Sequence, residues 1–272
     1  MNFRLVHHVP VYDASQSIDT GETLYTVLFG KNGVFMESTE RPEIHARLHI
    51  VDHPIPGGLA ELEPFVKFNC PPVPAEILTI IWTLARTATA IQPMESLFYL
   101  WLDEHDEWQF SKPPQRATAT SVEPTDQSPE SDYFKAVIEV HSHHTMPAFW
   151  SSTDTAHENR FRVYAVLGNI FKDAQILVRV GAWGYFVDLP AVSIFEVPDR
   201  MSDAMTAEPD WESNIHDIEV DYATLSQSER DGVLDVYAPL IENGAAWKEQ
   251  GLQLLPAQRA EFIASAEESL TH

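Results

Sequence analysis

The stretch "VHSHHTMPAFWSSTD", Val140 to Asp154, gathers residue types that do chemistry: three imidazoles within four residues, then a Ser-x-x-Asp. In a strand, side chains alternate faces, so His141 and His143 point the same way, and at a strand end both reach one point in space. If "SSTDTAHENRF" opens a helix with Ser151 or Ser152 near its N-cap, Ser151 and Asp154 share a face, and that helix end meets the histidines. Two imidazoles and one carboxylate suit zinc, with the fourth tetrahedral position left to water, as in a catalytic site. His141, His143 and Asp154 are therefore the expected metal ligands. An HxH pair recurs by chance; four residues of three types at fixed spacings carry the reading.

Several function classes fall away on composition. The 272 residues are 44% apolar and 11% aromatic, which excludes a wholly disordered chain. No apolar run approaches the roughly 20 residues of a membrane span. The N-terminal "MNFRLVHHVPVYDASQ" lacks the apolar core and cleavage site of a secretory signal, so a soluble, cytoplasmic protein is expected. One cysteine, Cys70, allows neither an intrachain disulfide nor a CxxC site, so nitrogen and oxygen must hold any metal. A net charge of −24 opposes binding to nucleic acid, where Lys and Arg supply the affinity, and fits either solubility or a basic partner.

The elements that must position the ligands follow from periodicity. "LYTVLFGKNGVF" reads as two short strands about a Lys-Asn-Gly turn whose Asn and Gly tolerate positive φ. After the prolines at 71, 72 and 74, the segment from Pro74 to Ala90 is helical in period, with Ile77, Ile80, Ile81, Leu84 and Ala88 on one face. "ESLFYLWL" reads as a central strand buried on both faces, and "DEHDEWQF" turns into the next. Ser111 to Ser131 reads as loop with a candidate strand at "ATATSV", and "FKAVIEV" as a strand running into the histidines. "RVYAVLG", "QILVRVG" and "GYFVDL" are three further strands. The expected class is α/β, a central mixed β-sheet flanked by helices. The expected divisions are a small β-rich N-terminal module at 1–70, the site-bearing domain at 71–198, and an acidic, partly helical C-terminal extension at 199–272, with a helix over "AQRAEFIASAEESL".

HxH, seven intervening residues and SxxD together resemble the JAMM motif of MPN-domain metalloproteases, which remove ubiquitin and related modifiers. The resemblance implies a cytidine-deaminase-like layering, Zn2+ on His141, His143 and Asp154, and Ser151 steadying the tetrahedral intermediate. It also implies a general acid/base glutamate at the start of a buried strand after the first helix. Glu95 in "PMESLFYL" meets that description. Its rivals are Glu139, which shares strand parity with the histidines, and Glu158, one helical turn beyond Asp154. His144 departs from the family, which usually has proline there, and is expected to loosen the following loop and add a competing donor. "HSHHTMPAFWSSTD", with "LAELEPFVKF" and "ATATSVEP" upstream, is similar to the bacterial PRTRC branch of the superfamily. That implies a ubiquitin-like protein as substrate and an E1-like activating enzyme encoded nearby.

Other classes fit less well. A non-catalytic or partner-activated MPN-like scaffold would normally have lost a ligand, and none is missing here. Zinc deaminases need H-x-E and P-C-x-x-C, which one cysteine cannot supply. Other HxH hydrolases add His and Asp ligands from later strands, where no such histidine is evident. In the loop "HTMPAFW", Met146, Phe149 and Trp150 either wall a groove for an extended substrate tail or pack under the helix.

Overall fold

A computed structural model describes residues 6–16, 18 and 23–205. Strands β1 (Val6–Pro10), β2 (Tyr25–Gly30), β3 (Gly33–Arg41), β4 (Ile44–Val51) and β5 (Phe65–Phe68) form a five-stranded sheet in sequence order, with β1 parallel to β2 and the other pairs antiparallel. The β2–β3 turn pairs Gly30 with Gly33 around Lys31 and Asn32. Positive φ falls on Gly33 (147°), not on Asn32. Asn32 instead uses its side-chain amide, donating to the Leu62 carbonyl at 2.8 Å and accepting from the Leu62 amide at 2.9 Å.

Helix α1 (Ala75–Ile91) begins just after Pro74, which sits at the N-cap. Its buried stripe is centred on Leu78, Ile81, Leu84 and Ala85; Ile77 and Ile80 pack at the flank and Ala88 is half-buried. The stripe therefore turns slightly from the one the sequence predicts. Strands β6 (Leu97–Leu102), β7 (Trp108–Ser111), β10 (Ile138–Ser142), β11 (Arg162–Gly168), β12 (Ala174–Ala182) and β13 (Tyr185–Leu189) form the larger sheet in the order β13-β12-β11-β10-β6-β7. Strand β14 (Met201–Asp203) adds to β12. Within this sheet, β10–β11 and β12–β14 are parallel and the remaining pairs antiparallel. β6 is an interior strand, one place from the β7 edge.

The segment before β10 differs from the expectation. "ATATSV" is mostly the turn of a hairpin, β8 (Gln115–Ala117) with β9 (Val122–Pro124), and Phe134 and Lys135 belong to a helical turn, α2 (Asp132–Lys135). Helix α3 (Ser152–His157), the last α-helix among the described residues, lies in the crossover between the parallel strands β10 and β11. The fold is mixed α/β, mostly sheet with few helices, and no described helix is long and apolar enough to cross a membrane. Apart from β14 and its flanks, the C-terminal extension, with its expected helix, lies outside the described residues.

Alternation sorts the large sheet into two faces. Phe98, Leu100, Ile138, Val140, Val163, Ala165, Val178 and Val180 join α1 and residues Met36, Ile44, Ala46 and Leu48 of the first sheet in one core. Each buried side chain of this size contributes about 1.5–3 kcal/mol by leaving water. The opposite face carries Glu139, His141, Arg162, Tyr164 and Arg179 by strand parity. Polar chemistry is thus confined to one face, above an apolar floor.

Candidate metal centre

The site lies at the carboxyl end of β10, where parallel strands and their crossover commonly leave a ligand crevice. Two backbone bonds and one to a side-chain hydroxyl hold that end. The Ser142 amide donates to Ser96 O at 2.9 Å, the His143 amide donates to Leu167 O at 2.7 Å, and the Ser96 amide donates to Ser142 Oγ at 3.0 Å. His141 pairs with Leu97 in the antiparallel β6–β10 register, so continuing that register past the strand ends sets Glu95 opposite His143. The Glu95 amide donates to Thr118 O in the β8–β9 turn at 2.9 Å.

Ser151 caps α3 through a capping box. Its side chain accepts from the Asp154 amide at 3.0 Å, and its own amide donates to Asp154 Oδ2 at 2.8 Å. One motif therefore does two jobs: the bonds that start the helix also fix the carboxylate. Asp154 Oδ1 stands 3.3 Å from His141 Nε2, Oδ2 stands 3.4 Å from His143 Nε2, and the two Nε2 atoms are 3.2 Å apart. Bonds of about 2.0–2.1 Å to a tetrahedral ion put neighbouring ligand atoms about 3.3 Å apart; the two Nε2 atoms stand near that separation, and Asp154 meets each histidine through a different oxygen.

Glu95 lies farther out, with Oε1 3.9 Å from His143 Nε2. It also offers an oxygen within 4.8 Å of ligand nitrogens on His141 and His143, so this buried group could bind a metal ion. Its other oxygen, Oε2, is buried without a hydrogen-bond partner. An orphaned carboxylate oxygen is costly unless something at the site meets it. The donor set fits a divalent cation. Asp154 stands closer to the two imidazoles than Glu95 does.

The electrostatics agree with a place for positive charge. Burial alone would push the Asp154 carboxyl up, but hydrogen bonds from His141, His143 and Ser151 hold it well below the usual carboxylate range. Burial opposes charge on His141, yet Asp154, Glu158 and Glu95 together raise it to about 9. His143 moves down, because burial and the neighbouring His141 outweigh Asp154. Glu95 is raised to about 7, chiefly by burial.

The rival glutamates have other partners. Arg162, fully buried, donates from Nη1 to Glu139 Oε2 at 3.0 Å. Arg179 donates from Nε to Glu158 Oε2 at 2.7 Å, and its Nη2 makes an ion-pair contact with the same oxygen at 2.6 Å. These two arginines were missed in sequence reading; the available signal was a lone cation inside each apolar strand, "RVYAVLG" and "QILVRVG".

His144 is buried with φ 44°, a conformation closed to proline, whose ring fixes φ near −65°. Its Nε2 lies 2.7 Å from Ala119 O and its Nδ1 3.0 Å from Thr145 Oγ1, so its ring is engaged by the β8–β9 turn and by Thr145 rather than by the other histidines. In that loop Trp150 Nε1 donates to Asp188 Oδ1 at 2.9 Å, whereas Phe149 is 40% exposed and meets the His143 ring edge-on at 4.6 Å.

The same loop leans on Gly168, where a Cβ would run into the Pro147 and Ala148 backbone. Backbone on both sides cannot yield cheaply, so Gly168→Ala should destabilise the fold by about 1–3 kcal/mol, and displacing the loop should weaken metal retention. Thermal unfolding with and without added zinc checks both effects. Neither family models nor curated proteins give a match to this chain.

Proposed function

We propose that the chain is a zinc-dependent metallopeptidase of the JAMM type, hydrolysing a peptide or isopeptide bond at the C-terminus of a ubiquitin-like protein. One observation carries this reading: the His141 and His143 Nε2 atoms stand 3.2 Å apart with an Asp154 oxygen against each, and Glu95 presents a buried, unpartnered oxygen beside them. When bound, zinc supplies Lewis acidity, polarising a carbonyl and lowering the pKa of a water from about 15.7 to about 7.

The chain's own residues supply the rest. Glu95, with its pKa near 7, takes a proton from the attacking water and passes it to the leaving amine. The Ser151 hydroxyl accepts the Asp154 amide hydrogen, which leaves its own proton to donate to the developing oxyanion. Phe149, exposed against His143, offers an aromatic wall for the substrate's extended tail. Among the described residues β13 is an edge strand of the larger sheet, tied to the same loop through Trp150 and Asp188, and would receive that tail by strand addition. An E1-like activating enzyme acting on the same modifier is the second expected partner.

The test is cleavage of a ubiquitin-like protein fused through its C-terminus to a reporter, beside an unstructured peptide carrying the same tail. Zinc-dependent cleavage, faster on the folded fusion, is expected. Equal rates would leave a general metallopeptidase. Binding of the fusion without cleavage would favour the non-catalytic scaffold.

A further inference from the structure

Helix α3 carries Ser151 at its cap and Asp154 as its one buried residue, yet it is only six residues long. Isolated helices shorter than about 12 residues are marginal in water, so something outside α3 must fix its position. Arg179, on β12 and 4% exposed, lies against both of its ends. At the carboxyl end the guanidinium holds Glu158, the C-cap residue, through two contacts to Oε2 at 2.7 and 2.6 Å. At the amino end it stacks 3.9 Å over the ring of Trp150, the residue before the Ser151 cap. Its other face meets Phe186 at 3.8 Å, and both Nη atoms stand 3.5 Å from Thr155 Oγ1 in the middle of the helix. Trp150 is fixed in turn by Asp188 on β13.

We propose that Arg179 is a positioning residue for the metal centre, setting Ser151 and Asp154 against the histidines by clamping α3 between Glu158 and Trp150. This rests on the metal-centre reading above. Arg179 touches neither His141, His143 nor Asp154 through any hydrogen bond or ion pair, so it acts through the groups it holds, the helix and Glu158. A planar guanidinium is needed because it must stack on two rings while donating sideways; an ammonium has the charge without the plate.

The experiment uses the full chain and two variants, Arg179→Lys and the double replacement Arg179→Met with Glu158→Leu. The double variant removes both buried charges, so it keeps the fold even where a single replacement strands a buried carboxylate. Zinc affinity by chelator competition, the visible spectrum of the cobalt(II) form and thermal unfolding of the metal-free protein are measured. Both variants are expected to lose roughly 10- to 100-fold in zinc affinity and to show an altered cobalt spectrum, with unfolding temperatures within a few degrees of the parent. A folded double variant with parental affinity and spectrum would overturn the proposal and leave the pair a structural one. Absence of zinc binding by the unaltered protein would overturn the metal reading as well, which separates the two failures.

Discussion

His143→Ala is expected to abolish retention of zinc through purification, leaving the parent with one zinc per chain. Structural zinc sites are worth about 10–16 kcal/mol in total, so one ligand of four represents on the order of 3 kcal/mol, or a hundredfold or more in affinity. His143 is also where several local contacts converge. Its amide is held by Leu167, its ring is covered by Phe149, and its Nε2 closes the triangle with His141 and Asp154. Alanine keeps the backbone bond and removes only the ring. Elemental analysis of the two proteins, prepared side by side, decides the matter; equal zinc in both would remove His143 from the ligand set.

Glu95→Gln is expected to have the opposite profile, retaining zinc and fold while hydrolysis falls by about 100- to 10,000-fold. Glutamine is nearly isosteric and cannot accept the proton. The substitution should not cost stability, because burial disfavours the charged form of Glu95 and its Oε2 has no partner to lose. Single-turnover cleavage of the reporter fusion, with zinc content measured on the same sample, checks both halves. Full activity would return the role to Glu139 or Glu158, although each carboxylate is engaged by an arginine, Arg162 and Arg179 respectively.

How much of this was legible in sequence depends on distance along the chain. The His141/His143 pair and the Ser151/Asp154 cap are local, and strand parity and helix capping describe them directly. Glu95 is 46 residues upstream of His141 by their numbers. Its place opposite His143 comes from the β6–β10 register, which no local pattern encodes, and only the family resemblance pointed to it. The arginine partners of Glu139 and Glu158 are equally non-local. Short segments misled where tertiary contacts set the backbone. "ATATSV" becomes a turn whose Thr118 and Ala119 carbonyls serve Glu95 and His144, and Asn32 takes its place in the β2–β3 turn through bonds to Leu62.

The most direct measurement is a crystal structure of the zinc-loaded chain with anomalous difference maps from data on both sides of the zinc edge. One peak is expected, bonded to His141 Nε2, His143 Nε2 and an Asp154 oxygen at about 2.0–2.2 Å, with Glu95 outside the coordination sphere. A peak elsewhere, or one that takes Glu95 as ligand and leaves Asp154 free, would contradict it.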